Sequence, residues 1–175
     1  IEGCLVEDGF VSFVSRFAIP YLYGQTPGEL ALYLNAQAEN TCKLTVVEMK
    51  GWERDMTWDE TGLEWIVASP HVPHGQSAVF YPVTGIFGEF GYISIGVGYT
   101  LPFQIMGAPW INADSLATAL NALELAGIEF RPIYFKPYYS VFKGELCEGV
   151  QIHILDYKAA KLSEVQFIVV LYITT

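Results

Sequence analysis

The stretch from Asn112 to Gly127 constrains this chain more than any other. Asn112 is a helix-capping residue type and Asp114 falls in the first turn. Leu116, Ala119, Leu120 and Leu123 recur at helical spacing, and Gly127 supplies a stop. An amphipathic helix of this kind must bury its apolar stripe on another layer. Candidate partners follow at once: Ile128 to Tyr134 and Gly149 to Leu155 read as strands around a loop holding Pro137.

Upstream, Thr26-Pro27-Gly28-Glu29 is a capping box with proline at the first helical position. Leu30, Leu34 and Ala38 follow about one turn apart. The pattern predicts a helix over 27–39, with Asn40 as its stop. Lys43 to Met49 and Ala78 to Phe87 have the β-branched and aromatic look of strands. Trp52 to Trp65 reads as a loop, and residues 69–75 as a proline-stiffened connector. Gly88 to Gly98 contains four glycines, which suits tight turns or close approach to a ligand. The tail from Ser163 opens like a capping box and is expected to be helical, against the β propensity of Phe167 to Val170. The expected fold is α/β in the broad sense: one α+β domain with a mixed sheet and packed helices.

Charge limits the partners. The net charge is −10 and only 16% of residues are charged. Nucleic acid and anionic membranes are poor partners, because both are bound by clustered Lys and Arg. The most apolar stretch, Val165 to Ile173, is too short to span a bilayer. Cys4, Cys42 and Cys147 have no metal-ligand spacing. His71 and His74, flanking Pro73, and the distant His153 read as surface or hydrogen-bonding residues rather than metal ligands. The chain opens Ile1-Glu2-Gly3, which reads as the interior of a protein, so a preceding domain is expected.

Among the carboxylates Glu89 stands apart, in a glycine- and aromatic-rich stretch after a presumed strand. It reads either as a reactive acid or as a structural acceptor for backbone N–H groups. Trp52, Trp58, Trp65 and Trp110 read as sugar-stacking rings or as core.

Several motifs, in order, carry a resemblance. They are Gly51-Trp52-Glu53-Arg54-Asp55-Met56, Trp58-Asp59-Glu60-Thr61-Gly62-Leu63-Glu64-Trp65 and Ser69-Pro70-His71-Val72-Pro73. Pro102-Phe103, Gly107-Ala108-Pro109-Trp110-Ile111, Phe130-Arg131-Pro132 with Phe135, and Cys147-Glu148-Gly149-Val150-Gln151-Ile152-His153 follow. Together the set resembles the C-terminal half of the NamZ-type (YbbC-like) exo-β-N-acetylmuramidases, over residues 1 to about 170. That family was long a domain of unknown function.

The resemblance implies a bacterial cell-wall glycosidase that removes terminal N-acetylmuramic acid from peptidoglycan fragments, secreted or periplasmic. It implies a Rossmann-like N-terminal domain outside this chain, carrying a main catalytic acid across a cleft. By the same resemblance Glu89 is the catalytic candidate here. His71, Ser94, Thr100, Trp110 and Arg131 are the substrate-binding candidates, with no metal and no cofactor. The family segment Glu-Gly-Thr-Asn-x-Ser-Glu-Gly-Arg-Gly-Thr is altered in this chain. Glu89, Ser94, Gly96 and Gly98 match it, but Ile95 replaces a Glu and Val97 an Arg. His71 stands where Asn is usual and Tyr23 where His is usual. The alternative expectation is therefore a paralogue that binds cell-wall sugars without cleaving them.

Overall fold

The computed structural model describes residues 1–39 and 41–174. Asn40, the expected stop of the first helix, lies outside them. The chain divides into two compact units, Ile1–Thr61 and Gly62–Thr175. The core lies in the second unit: every buried described residue lies at or beyond Gly75.

The first unit holds helix α1, Pro27–Gln37. Its capping box is complete. The Thr26 Oγ1 accepts from the Glu29 N–H at 3.2 Å, and the Glu29 carboxylate accepts from the Thr26 N–H at 2.8 Å. Asn35 closes the next turn of chain, its side chain bonding both the N–H and the carbonyl of Cys42 at 2.9 Å. Lys43 to Met49, expected as a strand, has no ladder partner among the described residues, and Val47 is 91% exposed. β propensity reports fit to a pleated, half-buried surface, and no such surface is offered there.

The second unit holds α2 (Ser77–Gly88), β1 (Ile105–Ala108), α3 (Ala113–Asn121), β2 (Ile128–Phe135), β3 (Cys147–Ile154) and α4 (Leu162–Thr174). The sheet is three-stranded, ordered β1-β3-β2, and antiparallel throughout rather than mixed. Tyr134 pairs with Glu148 and Phe130 with Ile152, which puts Phe130, Val150 and Ile152 on one face. On the other face Ile105, Ile133, Phe135 and Cys147 form a buried cluster covered by Tyr99, Leu101 and Phe142. Burial pushes the Cys147 thiol up to about 11, so it stays protonated at neutral pH and acts as a small apolar group.

Helix α3 packs on β2 and β3 as its stripe requires. It ends at Asn121, before the Gly127 stop. The Asn121 side chain leaves the helical pattern to bond both the N–H and the carbonyl of Phe130, at 2.9 and 2.7 Å.

The segment expected as a strand over Ala78 to Phe87 is helix α2, with Pro82 inside it. Tertiary packing overrides propensity here. Ser77, Phe80 and Thr84 follow at helical spacing on the buried side, and α2 packs against α4. A buried glutamine completes the exchange. Gln166 of α4 donates its Nε2 to the Pro82 carbonyl at 3.1 Å and accepts the Ile86 N–H on its Oε1 at 3.2 Å. Those two backbone groups are four residues apart, so the side-chain amide sits on a rung of the α2 ladder.

Candidate functional site

Helix α2 leads directly into the glycine-rich stretch, and between them lies a cleft of about 310 Å³. Tyr81, Gly85, Gly88 and Glu89 line one side, at spacings of four, three and one residues that share a helix face. Ser94, Ile95, Val97, His71 and Ser140 are among the residues around the rest.

Glu89 is exposed at the C-cap of α2. A negative group there gains nothing from the helix macrodipole, so helix stability does not explain it. Its carboxylate makes no hydrogen bond or ion pair among the described residues, and the backbone-acceptor alternative is not realised.

Ser94 is held by an antiparallel bridge beside β1: its N–H donates to the Gly107 carbonyl at 2.8 Å and its carbonyl accepts from Gly107 at 2.9 Å. Its residue exposure is 2%, and its hydroxyl is buried with no hydrogen-bond partner among the described residues. An unmet buried hydroxyl costs free energy, so this one calls for an explanation.

His71 is oriented by Tyr139, Nε2 to Oη at 2.6 Å, with the rings stacked at 6.0 Å. His74 lies between Ser77 Oγ at 3.1 Å and Gln104 Nε2 at 3.3 Å. Both histidines are thus hydrogen-bonded, as the sequence suggested.

Three binding candidates lie elsewhere. Thr100 is exposed and does not line the cleft, because Tyr99 packs against Phe135 at 5.4 Å between ring centres and turns the chain away. Trp110 is 60% exposed and edge-on to Phe142, beside a separate groove with Tyr172, so it is neither core nor cleft. Arg131 lies on the sheet and donates to Gln151 Oε1 of the neighbouring strand at 2.7 Å. The structure brings together Glu89, Ser94 and His71 only. It also brings the two departures, Ile95 and Val97, to the same cleft.

The glycines serve the chain more than a ligand. Gly96 and Gly98 have φ of +82° and +90°, and a Cβ on either would collide with a backbone carbonyl, of Leu101 and Tyr139 respectively. Tyr81 and Gly85 were missed because their segment was read as a strand. A helical reading of residues 77–89 would have found both.

The fold agrees with what this chain is similar to. Residues 79–175 match the family described as exo-β-N-acetylmuramidase NamZ, C-terminal, and residues 1–76 match its N-terminal counterpart. The chain belongs to the NamZ exo-β-N-acetylmuramidase family. The peptidoglycan β-N-acetylmuramidase NamZ of Bacillus subtilis (strain 168) is 42% identical over 156 residues, 89% of this chain and 37% of that protein. The crystal structure of a DUF1343 family protein from Bacteroides fragilis NCTC 9343 is 58% identical, with a TM-score of 0.95. It is matched over 99% of this chain and 46% of that one. A second DUF1343 family protein from the same organism has a TM-score of 0.63 at 24% identity, over 86% of this chain and 39% of that one, a likeness of fold alone. The chain therefore spans less than half the length of these relatives. The expectation had placed the whole chain in the C-terminal half, whereas the two family descriptions meet between residues 76 and 79.

Proposed function

We propose that this chain supplies one wall of the sugar cleft in a peptidoglycan-processing protein of the exo-β-N-acetylmuramidase type, with Glu89, Ser94 and His71 as its polar contacts. The observation that carries the reading is the partnerless, buried Ser94 hydroxyl beside a cleft that Glu89 and His71 also line. A small shift on binding would give that hydroxyl a sugar oxygen as partner. A further α/β half of Rossmann type, as in the family, would close the other wall.

A second reading, binding without cleavage, is favoured by the cleft's composition. Glycoside hydrolysis uses two carboxylates flanking the scissile bond. Glu89 is the one carboxylate among the described lining residues, and Ile95 and Val97 offer apolar surface where the family has an acid and a cation. This chain by itself is therefore expected to bind sugar and not to turn over a chromogenic N-acetylmuramic acid glycoside.

Calorimetric titration with N-acetylglucosamine and N-acetylmuramic acid tests both readings, using Ser94→Val and Glu89→Gln. Ser94→Val should weaken binding about tenfold, the cost of one hydrogen bond of about 1.4 kcal/mol. Binding unchanged in both variants would remove the cleft from consideration, and turnover by the wild-type chain would overturn the second reading.

A further inference from the structure

A second groove, of about 530 Å³, opens where the loop after β2 folds back on itself. Tyr99, Tyr138, Lys136 and Lys143 are its chemically distinctive lining residues, and no carboxylate is among the described residues that line it. The rings of Tyr99 and Tyr138 stack at 6.3 Å and 24°, and Tyr138 is 69% exposed.

The loop is held in shape at some cost. Ser140 and Phe142 adopt φ of +67° and +59°, conformations that non-glycine residues seldom take. Backbone bonds secure it: Tyr138 N–H to the Gly98 carbonyl at 2.7 Å and Gly144 N–H to the Pro137 carbonyl at 2.9 Å. This loop also places Ser140 and Val141 on the Glu89 cleft, so it borders both cavities.

The cations decide what the groove can take. The second unit has five lysines and arginines, Arg131, Lys136, Lys143, Lys158 and Lys161. Arg131 is bonded to Gln151, Lys161 pairs with Glu164 at 3.5 Å, and Lys158 is engaged as well. Lys136 and Lys143 have no acidic partner among the described residues. In a chain of net charge −10, two ammonium groups with no acidic partner among the described residues flank one aromatic groove. Ammonium groups reward a carboxylate, and exposed tyrosine faces reward the apolar face of a pyranose ring.

We propose that this groove is a second saccharide subsite, selective for a sugar bearing a carboxylate, with Lys136 and Lys143 as the anion contacts and Tyr138 as the stacking platform. The choice of probe rests on the peptidoglycan reading above; the groove's selectivity does not.

The test compares N-acetylmuramic acid with its methyl ester, in which the lactyl group keeps its place but loses its charge and gains one methyl. Both are titrated into the 175-residue chain and into the Lys136→Gln/Lys143→Gln variant, with folding checked by circular dichroism. Because both lysines are exposed, the variant is expected to fold. The expected result is acid bound about tenfold more tightly than ester, with the preference lost in the lysine variant and kept in Ser94→Val. Equal binding of acid and ester, no binding of either, or a preference that survives the lysine replacement would each overturn the proposal. A triglutamate peptide binding as tightly as the sugar would overturn the saccharide assignment. Failure of the cleft reading shows separately, as Ser94→Val and Glu89→Gln leaving binding unchanged.

Discussion

The two units of this chain are held together by different physics. In Ile1–Thr61 no described residue is buried, and conformation is set by polar devices: the Thr26/Glu29 capping box, the Asn35 clasp on Cys42, and Arg54 on Glu29. Large apolar side chains, Phe13 at 99% exposure and Val47 at 91%, stay in solvent. In Gly62–Thr175 the order is reversed. Ile105, Met106, Leu120, Ile152 and Val169 are buried, and polar groups such as Gln166 act inside that core. Capping and ion pairing choose a local conformation but add little to stability at an exposed surface, whereas burial of apolar area drives cooperative folding.

The sharpest way to break this comparison is to cut the core. Ile152→Ala removes a side chain 1% exposed between the sheet and its helices, and should cost the second unit about 2–5 kcal/mol in chemical denaturation. The amide signals of Thr26 and Glu29 should persist while the second unit melts. Their loss at the same denaturant concentration would show that the two units unfold as one.

A smaller effect is expected from Gln166→Leu. The replacement keeps volume and removes the amide that bonds Pro82 and Ile86, for a loss of about 1–3 kcal/mol. Since Gly85, Gly88 and Glu89 lie on the same helix, sugar binding at the cleft should weaken too. Unchanged stability would mean that α2 re-forms its own rung.

The smallest effect belongs to the first unit. The hydrogen bond from Arg54, then that from the Thr26 N–H, holds the Glu29 carboxyl at about 2, below its usual 4.5. A carboxylate with a lowered folded value adds stability above its unfolded value and loses it as pH falls through the folded one. The Thr26 amide resonance should therefore shift between pH 4.5 and about 2, and Glu29→Gln should abolish the shift. The denaturation midpoint of the second unit should not respond to that replacement.

Legibility from sequence followed the range of the forces. The Thr26/Glu29 capping box, α3, β2, β3 and the helical tail were readable because their signals lie within a few residues of the elements they specify, although the tail's expected capping box does not form: α4 begins at Leu162, ahead of Ser163, and the Gln166 side chain is taken up by Pro82 and Ile86 of α2. Helix α2 was misread because its β-branched and aromatic residues argue for a strand locally, while the evidence for a helix is α4 and Gln166, some eighty residues away. Strand β1 was missed because four residues carry little pattern, and its partner β3 lies about forty residues on. Of the site candidates, Glu89, Ser94 and His71 meet at one cleft, and Thr100, Trp110 and Arg131 do not.

By itself the sequence determined the family, the local caps and the two long strands, since these depend on residue identity and short spacing. Tertiary structure decided which polar groups share a cavity, that Ile95 and Val97 face the same cleft as Glu89, and that Lys136 and Lys143, with no acidic partner among the described residues, stand beside stacked tyrosines. Burial and charge compensation depend on neighbours distant in the chain, and only the folded arrangement brings those neighbours together.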